Sequence, residues 1–381
     1  MRSARCLALC SVTLLSALGC KESEPPVDPK MKADGYYLAG TQAFLKGDFA
    51  EAHKQFAEVK ANNPADPRLP AAEGEVYLAE GNVEEATRAF EVATRLDAKR
   101  ATNWSRLGYL YSLKAETRPK AVEALGKALQ LNPRDFNALE TSADLQLKEG
   151  DLDAAVLNLV QASEAAPESA RADLILKAVG ELVKKSRGAD ALRVLQTAVQ
   201  KGTRTPEVLS ELGDRLVEAS RLPEAIEAYT EAAKGNPKDP TLWELVGEVS
   251  FRLDKLPEAE AAFHESLKVK DRSVVHVGLA RLCQKKKDDA CVKAELDKAL
   301  QTASGEELRE TTDLADLLVS LDRKKDALAL LRNVSEEPEQ KGNVELHLKV
   351  ARLAKELKDT TSVQAACVRA AASGTAGLKC P

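Results

Sequence analysis

Gly40 and Gly74 stand 34 residues apart, as do Gly74 and Gly108, and again Gly213 and Gly247. The same companions follow each: Ala52 and Phe56 after Gly40, then Ala86, Phe90 and Ala93 after Gly74. Ala225, Tyr229, Ala232 and Pro237 follow Gly213, and Ala259 and Phe263 follow Gly247. A period of this length means one supersecondary unit copied and stacked, each copy burying its apolar face only against its neighbours.

Each copy reads as two helices. The first carries small and apolar residues at helical spacing and ends in a Gly-Asp or similar break, as at Gly47-Asp48. The second carries Ala, a large apolar residue four later and a small residue three beyond that, often before Asn-Pro. A small residue is needed where two helices cross closely, a large one fills the gap to the next hairpin, and Pro stops the helix for want of an amide donor. Aromatics make up only 4% of the chain, and Ala and Leu dominate its apolar set. That favours close helix packing over strands, which enrich aromatic and β-branched residues.

The pattern resembles the tetratricopeptide repeat (TPR) family over about nine tenths of the chain. The third unit has Trp104, Leu107, Gly108 and Tyr111, answered by Ala121, Leu125, Ala128 and Pro133 after a one-residue insertion at Thr117-Arg118-Pro119. The fourth has Ala143, Ala155, Leu159, Ala162 and Pro167, and the fifth Ala191, Leu195 and Ala198. The eighth is read on Gly278 and Ala290, with Ala294 where a large residue belongs. The ninth keeps Leu314, Ala315, Ala327 and Leu331, and the tenth Val350, Ala351, Cys367 and Ala370. The resemblance implies an all-α, right-handed superhelical solenoid of about ten hairpins over 34–372, with a tail at 373–381.

The first residues are a separate object. Arg2 and Arg5 precede the apolar stretch Leu7 to Leu18, and Ala17-Leu18-Gly19 stands before Cys20. This is the build of a signal peptide over 1–19, too short for a stable membrane span. Cys20 after a small residue resembles the lipobox of bacterial lipoproteins, in which that cysteine carries the lipid; Ala17 stands where such signals usually have Leu. Ordinary cleavage after Ala17-Leu18-Gly19 is the competing reading. Residues 20–33, polar and proline-rich, read as a tether. Loss of Arg2 and Arg5 leaves 53 of 55 basic side chains against 60 acidic ones, a net of −7 in place of −5. The expectation is an exported protein, lipid-anchored in a bacterial cell envelope and facing the periplasm. Without a basic run carrying aromatics, nucleic acid is not expected as a partner.

Four cysteines remain past Cys20, and an even number in an oxidising compartment suggests disulfides. Neighbouring pairs would be Cys283 with Cys291 and Cys367 with Cys380. For the first pair, free buried thiols are an equal alternative.

In TPR proteins the first helices line a concave surface where ligands usually bind. The resemblance therefore points to Tyr37, Phe44, Leu78 and Tyr109 near the N-terminus. Further along it points to Glu140, Asp144, Glu211, Asp214, Glu218, Glu244, Glu248, Asp313 and Asp316, interrupted by Lys177, Lys184, Arg252, Lys349 and Arg352. Such a face is expected to take a partner's basic or amphipathic segment, or simply to be solvated.

Chemistry finds little support. His53, His264, His276 and His347 are dispersed, and no His-Glu-x-x-His, paired-cysteine, phosphate-loop or nucleophile-elbow pattern occurs. No catalysis, metal, cofactor or small-molecule substrate is expected. The function expected is a protein-interaction scaffold, similar to TPR lipoproteins that assemble pili, secretion channels or outer-membrane machinery. An accessory subunit of an envelope enzyme, as in polysaccharide or peptidoglycan synthesis, is the alternative.

Overall fold

A computed structural model of the chain describes residues 28–303 and 308–372. The signal and Cys20, the tail and Cys380 lie outside the described residues, as does most of the tether. Among the described residues there are twenty α-helices, two short 3-10 turns and no strand. They form two compact units dividing between Ser142 and Ala143, each a stack of helical hairpins.

The first unit holds α1 (Pro29–Leu45) with α2 (Phe49–Asn62), α3 (Leu69–Ala79) with α4 (Val83–Leu96), and α5 (Ala101–Ser112) with α6 (Arg118–Leu131). Helix α7 (Phe136–Glu149) runs across the division. The second unit continues with α8 (Leu152–Ala165), α9 (Glu168–Lys184) and α10 (Gly188–Gln200). Then come α11 (Pro206–Glu218) with α12 (Leu222–Gly235), and α13 (Pro240–Arg252) with α14 (Leu256–Val269). It ends with α15 (Ser273–Lys285) and α16 (Asp289–Thr302), α17 (Leu308–Ser320) and α18 (Lys324–Ser335), and α19 (Val344–Glu356) and α20 (Thr360–Ala372).

One boundary differs from the sequence reading. Helix α1 begins at Pro29, inside the span read as tether, because the Asp28 side chain accepts from the Lys30 amide and Pro occupies the first turn.

Among the described residues the turns inside the hairpins share one mechanism, except that between α5 and α6, which passes through the 3-10 turn Ala115–Thr117. The Asp48 amide donates to the Ala43 carbonyl at 2.9 Å, Arg221 to Leu216 at 2.8 Å and Lys255 to Ser250 at 2.9 Å. A residue with positive φ precedes each donor, which is the Schellman ending of a helix. In early hairpins that residue is Gly47, Gly81 or Gly150; later it is Ser186, Ser220, Asp254, Lys287, Asp322 or Lys358. The next helix starts in one of two ways, except α14 after Lys255, which has no side-chain cap. Asp48, Asn82, Asp151, Asp288 and Asp359 cap it with a side-chain oxygen. Arg187, Arg221 and Arg323 instead reach forward to Asp190, Glu224 and Asp326.

Packing corrects the stated role of the large residue. A Cβ added at Gly40 would lie 2.5 Å from the Phe56 ring, and one at Gly213 would lie 2.4 Å from Tyr229. The large side chain therefore fills the space left by the small residue of its own hairpin, in a close-packed interior that leaves no room for both. Phe56, Phe90, Leu159, Leu195 and Tyr229 are buried on this plan.

The eighth hairpin keeps the plan in a different register from the one read in the sequence. Ala290 and Ala294 are exposed, while Val292, Leu296 and Ala299 are buried with Ala280. Its small residue is thus Ala280, two positions after Gly278. Gly278 serves the preceding hairpin: added Cβ atoms at Gly247 and at Gly278 would each lie 2.5 Å from the Phe263 ring. Phe263 is clamped between α13 and α15.

Candidate functional site

At three junctions the inner positions link consecutive hairpins through the same offset. There the residue after the one that faces the large side chain is acidic, and its partner stands two residues before the corresponding position of the next first helix. Glu75, after Gly74, binds Arg106, before Gly108, at 2.7 Å. Asp144, after Ala143, binds Lys177, before Val179, at 2.8 Å. Asp316, after Ala315, binds Lys349, before Ala351, at 2.8 Å. Lys177 and Lys349 are therefore partners of the acidic face rather than breaks in it. Each pair is partly exposed and contributes on the order of 1 kcal/mol or less.

Other carboxylates are also engaged. Glu211 pairs with Arg215 at 3.1 Å, and burial raises its carboxyl above the ordinary value. Asp214 accepts from the Tyr229 hydroxyl at 2.5 Å; burial first, and then that bond, pushes the phenol well up. Glu244 is buried and shares Arg272 with Glu310: the guanidinium is 2.8 Å from either Glu244 oxygen and 2.8 and 3.0 Å from those of Glu310. Burial raises the Glu244 carboxyl against the pull of Arg272. Asp313 is exposed and Glu248 half-exposed. Glu140 is half-buried on α7.

The aromatic residues of the first unit are largely engaged as well. The Tyr37 ring lies 5.9 Å from that of Phe56 and under Arg68 at 4.4 Å. Phe44 packs on Phe49, and Tyr109 alone of the three is exposed.

The structure brings three of the singled-out residues to one place. Glu244 and Glu248 on α13 and Asp313 on α17 line a cleft of about 320 Å³ with α15 between them. Leu245, Phe263, Val274, Val277 and Gly278 form its apolar lining, and Arg281 and Arg309 line it as well. Glu211 and Asp214 border a separate depression of about 240 Å³ beside Asp239 and Leu242.

Sequence reasoning missed Arg272, Glu310, Arg281 and the surroundings of His276. His276 is not isolated: its Nδ1 is 2.6 Å from Glu295 and its Nε2 is 2.8 Å from Asp271. Cys283 and Cys291 are bridged across the same hairpin, with Cα atoms 5.7 Å apart. Cys367 is also disulfide-bonded. Among the described residues, no group of three or more His, Cys, Asp or Glu is placed to hold a metal ion, and no helix is long and apolar enough to cross a membrane.

A family model described as "Tetratricopeptide repeat" matches residues 210–271, which run from α11 through α14. That segment carries the tetratricopeptide repeat. A sequence relative is Tetratricopeptide repeat protein 37 of Xenopus laevis, 28% identical over 145 residues, 38% of this chain and 9% of that protein. Another is Superkiller complex protein 3 of Homo sapiens, 32% identical over 111 residues, 29% of this chain and 7% of that one. The chain thus spans less than a tenth of the length of these curated relatives. Among solved structures, YrrB, a TPR protein with an unusual peptide-binding site, aligns at 19% identity and a TM-score of 0.37, over 53% of this chain and all of its own. Yeast Tom70 aligns at 13% identity and a TM-score of 0.43, over 90% of this chain and 92% of its own. Tetratricopeptide repeats build scaffolds for protein–protein interaction, and this fold supports protein partners.

Proposed function

We propose that the chain is an envelope scaffold that holds a segment of a protein partner in the cleft formed by α13, α15 and α17. The observation that supports this is the cleft itself: apolar and charged side chains line it together, and its charged residues come from three successive first helices. An apolar floor supplies affinity and a few placed polar groups supply orientation, as a segment-binding groove requires. A photo-crosslinking residue placed at Val274 in the cleft should give a defined adduct in native cells. The same residue at the exposed Lys268 should not. Equal adducts from both positions, or none from either, count against this site.

Export and lipid anchoring through Cys20 belong to the same proposal and rest on Arg2, Arg5, the apolar stretch and the small residue before Cys20. Metabolic labelling with palmitate should mark the wild type and not Cys20→Ala. A Cys20→Ala chain that stayed labelled and membrane-bound would remove the anchor from the reading.

A further inference from the structure

The pairing of an inner carboxylate with a cation on the next first helix is kept at Glu75, Asp144 and Asp316; it lapses at Asp214, where Leu245 stands in the cation's place, and at Glu248, inside the cleft. After Gly247, Glu248 occupies the acidic position, so its partner should stand two residues before Ala280. That residue is Gly278, whose missing side chain makes room for the Phe263 ring. Glu248 is left with Arg281 at 3.9 Å, against 2.7 to 2.8 Å for the pairs that are kept.

We infer that the occupant of this cleft is a protein segment presenting a lysine or arginine side chain over Gly278, which supplies the missing cation to Glu248 and Asp313. The inference rests on the proposed role of the cleft and names the chemistry of its partner. Charge supports it: Glu244, Glu248, Glu310 and Asp313 line the cleft with Arg281 and Arg309, and the partly buried Arg272, bound to Glu244 and Glu310, brings the cations to three against four carboxylates. One negative charge is therefore in excess. Apolar surface supports it too, because Leu245, Val274 and Val277 offer contact for the methylene stem of such a side chain while its head reaches the carboxylates.

The test uses the full chain, immobilised, with a positional-scanning octapeptide library in which one residue is fixed per pool. Pools with fixed Lys or Arg should be retained above those with fixed Leu or Glu. In a Glu248→Gln, Asp313→Asn double variant, both sites being solvent-accessible, a selected basic peptide should bind roughly tenfold more weakly. Retention without a basic preference overturns the inference and leaves the cleft as a segment-binding site. So does a basic preference unchanged in the double variant. Retention of no pool at all overturns both.

Discussion

Arg68 grips Asp66 through two nitrogens of its guanidinium, Nε at 2.9 Å and Nη2 at 2.6 Å, while its own amide donates to the same carboxylate at 3.0 Å. Nη2 also reaches Asp34 on α1 at 2.5 Å, so the loop before α3 is tied to the first helix. The Asp66 carboxyl is held below the ordinary 3.8 first by the hydrogen bond from Arg68, with burial opposing it. A carboxyl whose folded-state pKa is depressed contributes stability above its unfolded value, and that contribution is lost as pH falls through the folded value. The unfolding free energy of the wild type should therefore fall as pH drops below 3.8. Urea titrations should show a shallower acid slope for Asp66→Asn, and identical slopes would contradict this.

Six hairpin turns of the second unit place a non-glycine residue at φ between 56 and 61°. An L residue costs about 1 kcal/mol in this region and glycine does not. Ser220→Gly and Lys358→Gly should each raise stability by roughly 0.5–1 kcal/mol, the gain being offset in part by the greater freedom of glycine in the unfolded chain. Chemical denaturation of the two single variants measures it, and a loss of stability in both would refute the argument.

The register of the eighth hairpin can be tested by paired substitutions. Ala290→Asp lies on an exposed face and should change stability by no more than about 0.5 kcal/mol. Leu296→Ala empties a fully buried position and should cost about 2–5 kcal/mol. The reverse order of effects would restore the register read from Gly278 and Ala290.

The Cys283–Cys291 bridge spans a sequence separation of 8 and joins α15 to α16. Closing so short a loop contributes about 2–3 kcal/mol through the unfolded state. In a Cys367→Ala background, which removes the other bridged cysteine, dithiothreitol should lower the unfolding free energy by that amount. Adding Cys291→Ala should abolish the response. A persistent response would place the reducible bond elsewhere.

The hairpins were legible because Gly40, Gly74, Gly213 and Gly247 each answer one large residue sixteen positions later, a local code repeated many times. Gly278 misled the reading for the same reason: it looks like another such glycine, but the ring it accommodates belongs to the preceding hairpin. The acidic face was legible as composition and not as pairing. Asp144 and Lys177 are 33 residues apart, and only laying one period over the next puts them side by side. Each residue is legible singly, and the signal for their pairing lies in the offset. Nothing local announces that Arg272 bridges Glu244 and Glu310, because the three come from α13, the residue before α15, and α17.

The closed turns carry a consequence for how such a chain can change length. Because Asp48, Arg221 and Lys255 each stop the preceding helix through their own amides, a hairpin brings its terminator with it and borrows none from its neighbour. Duplicating or excising a whole period creates no frayed helix end, so the number of modules is open to drift while each junction stays sound.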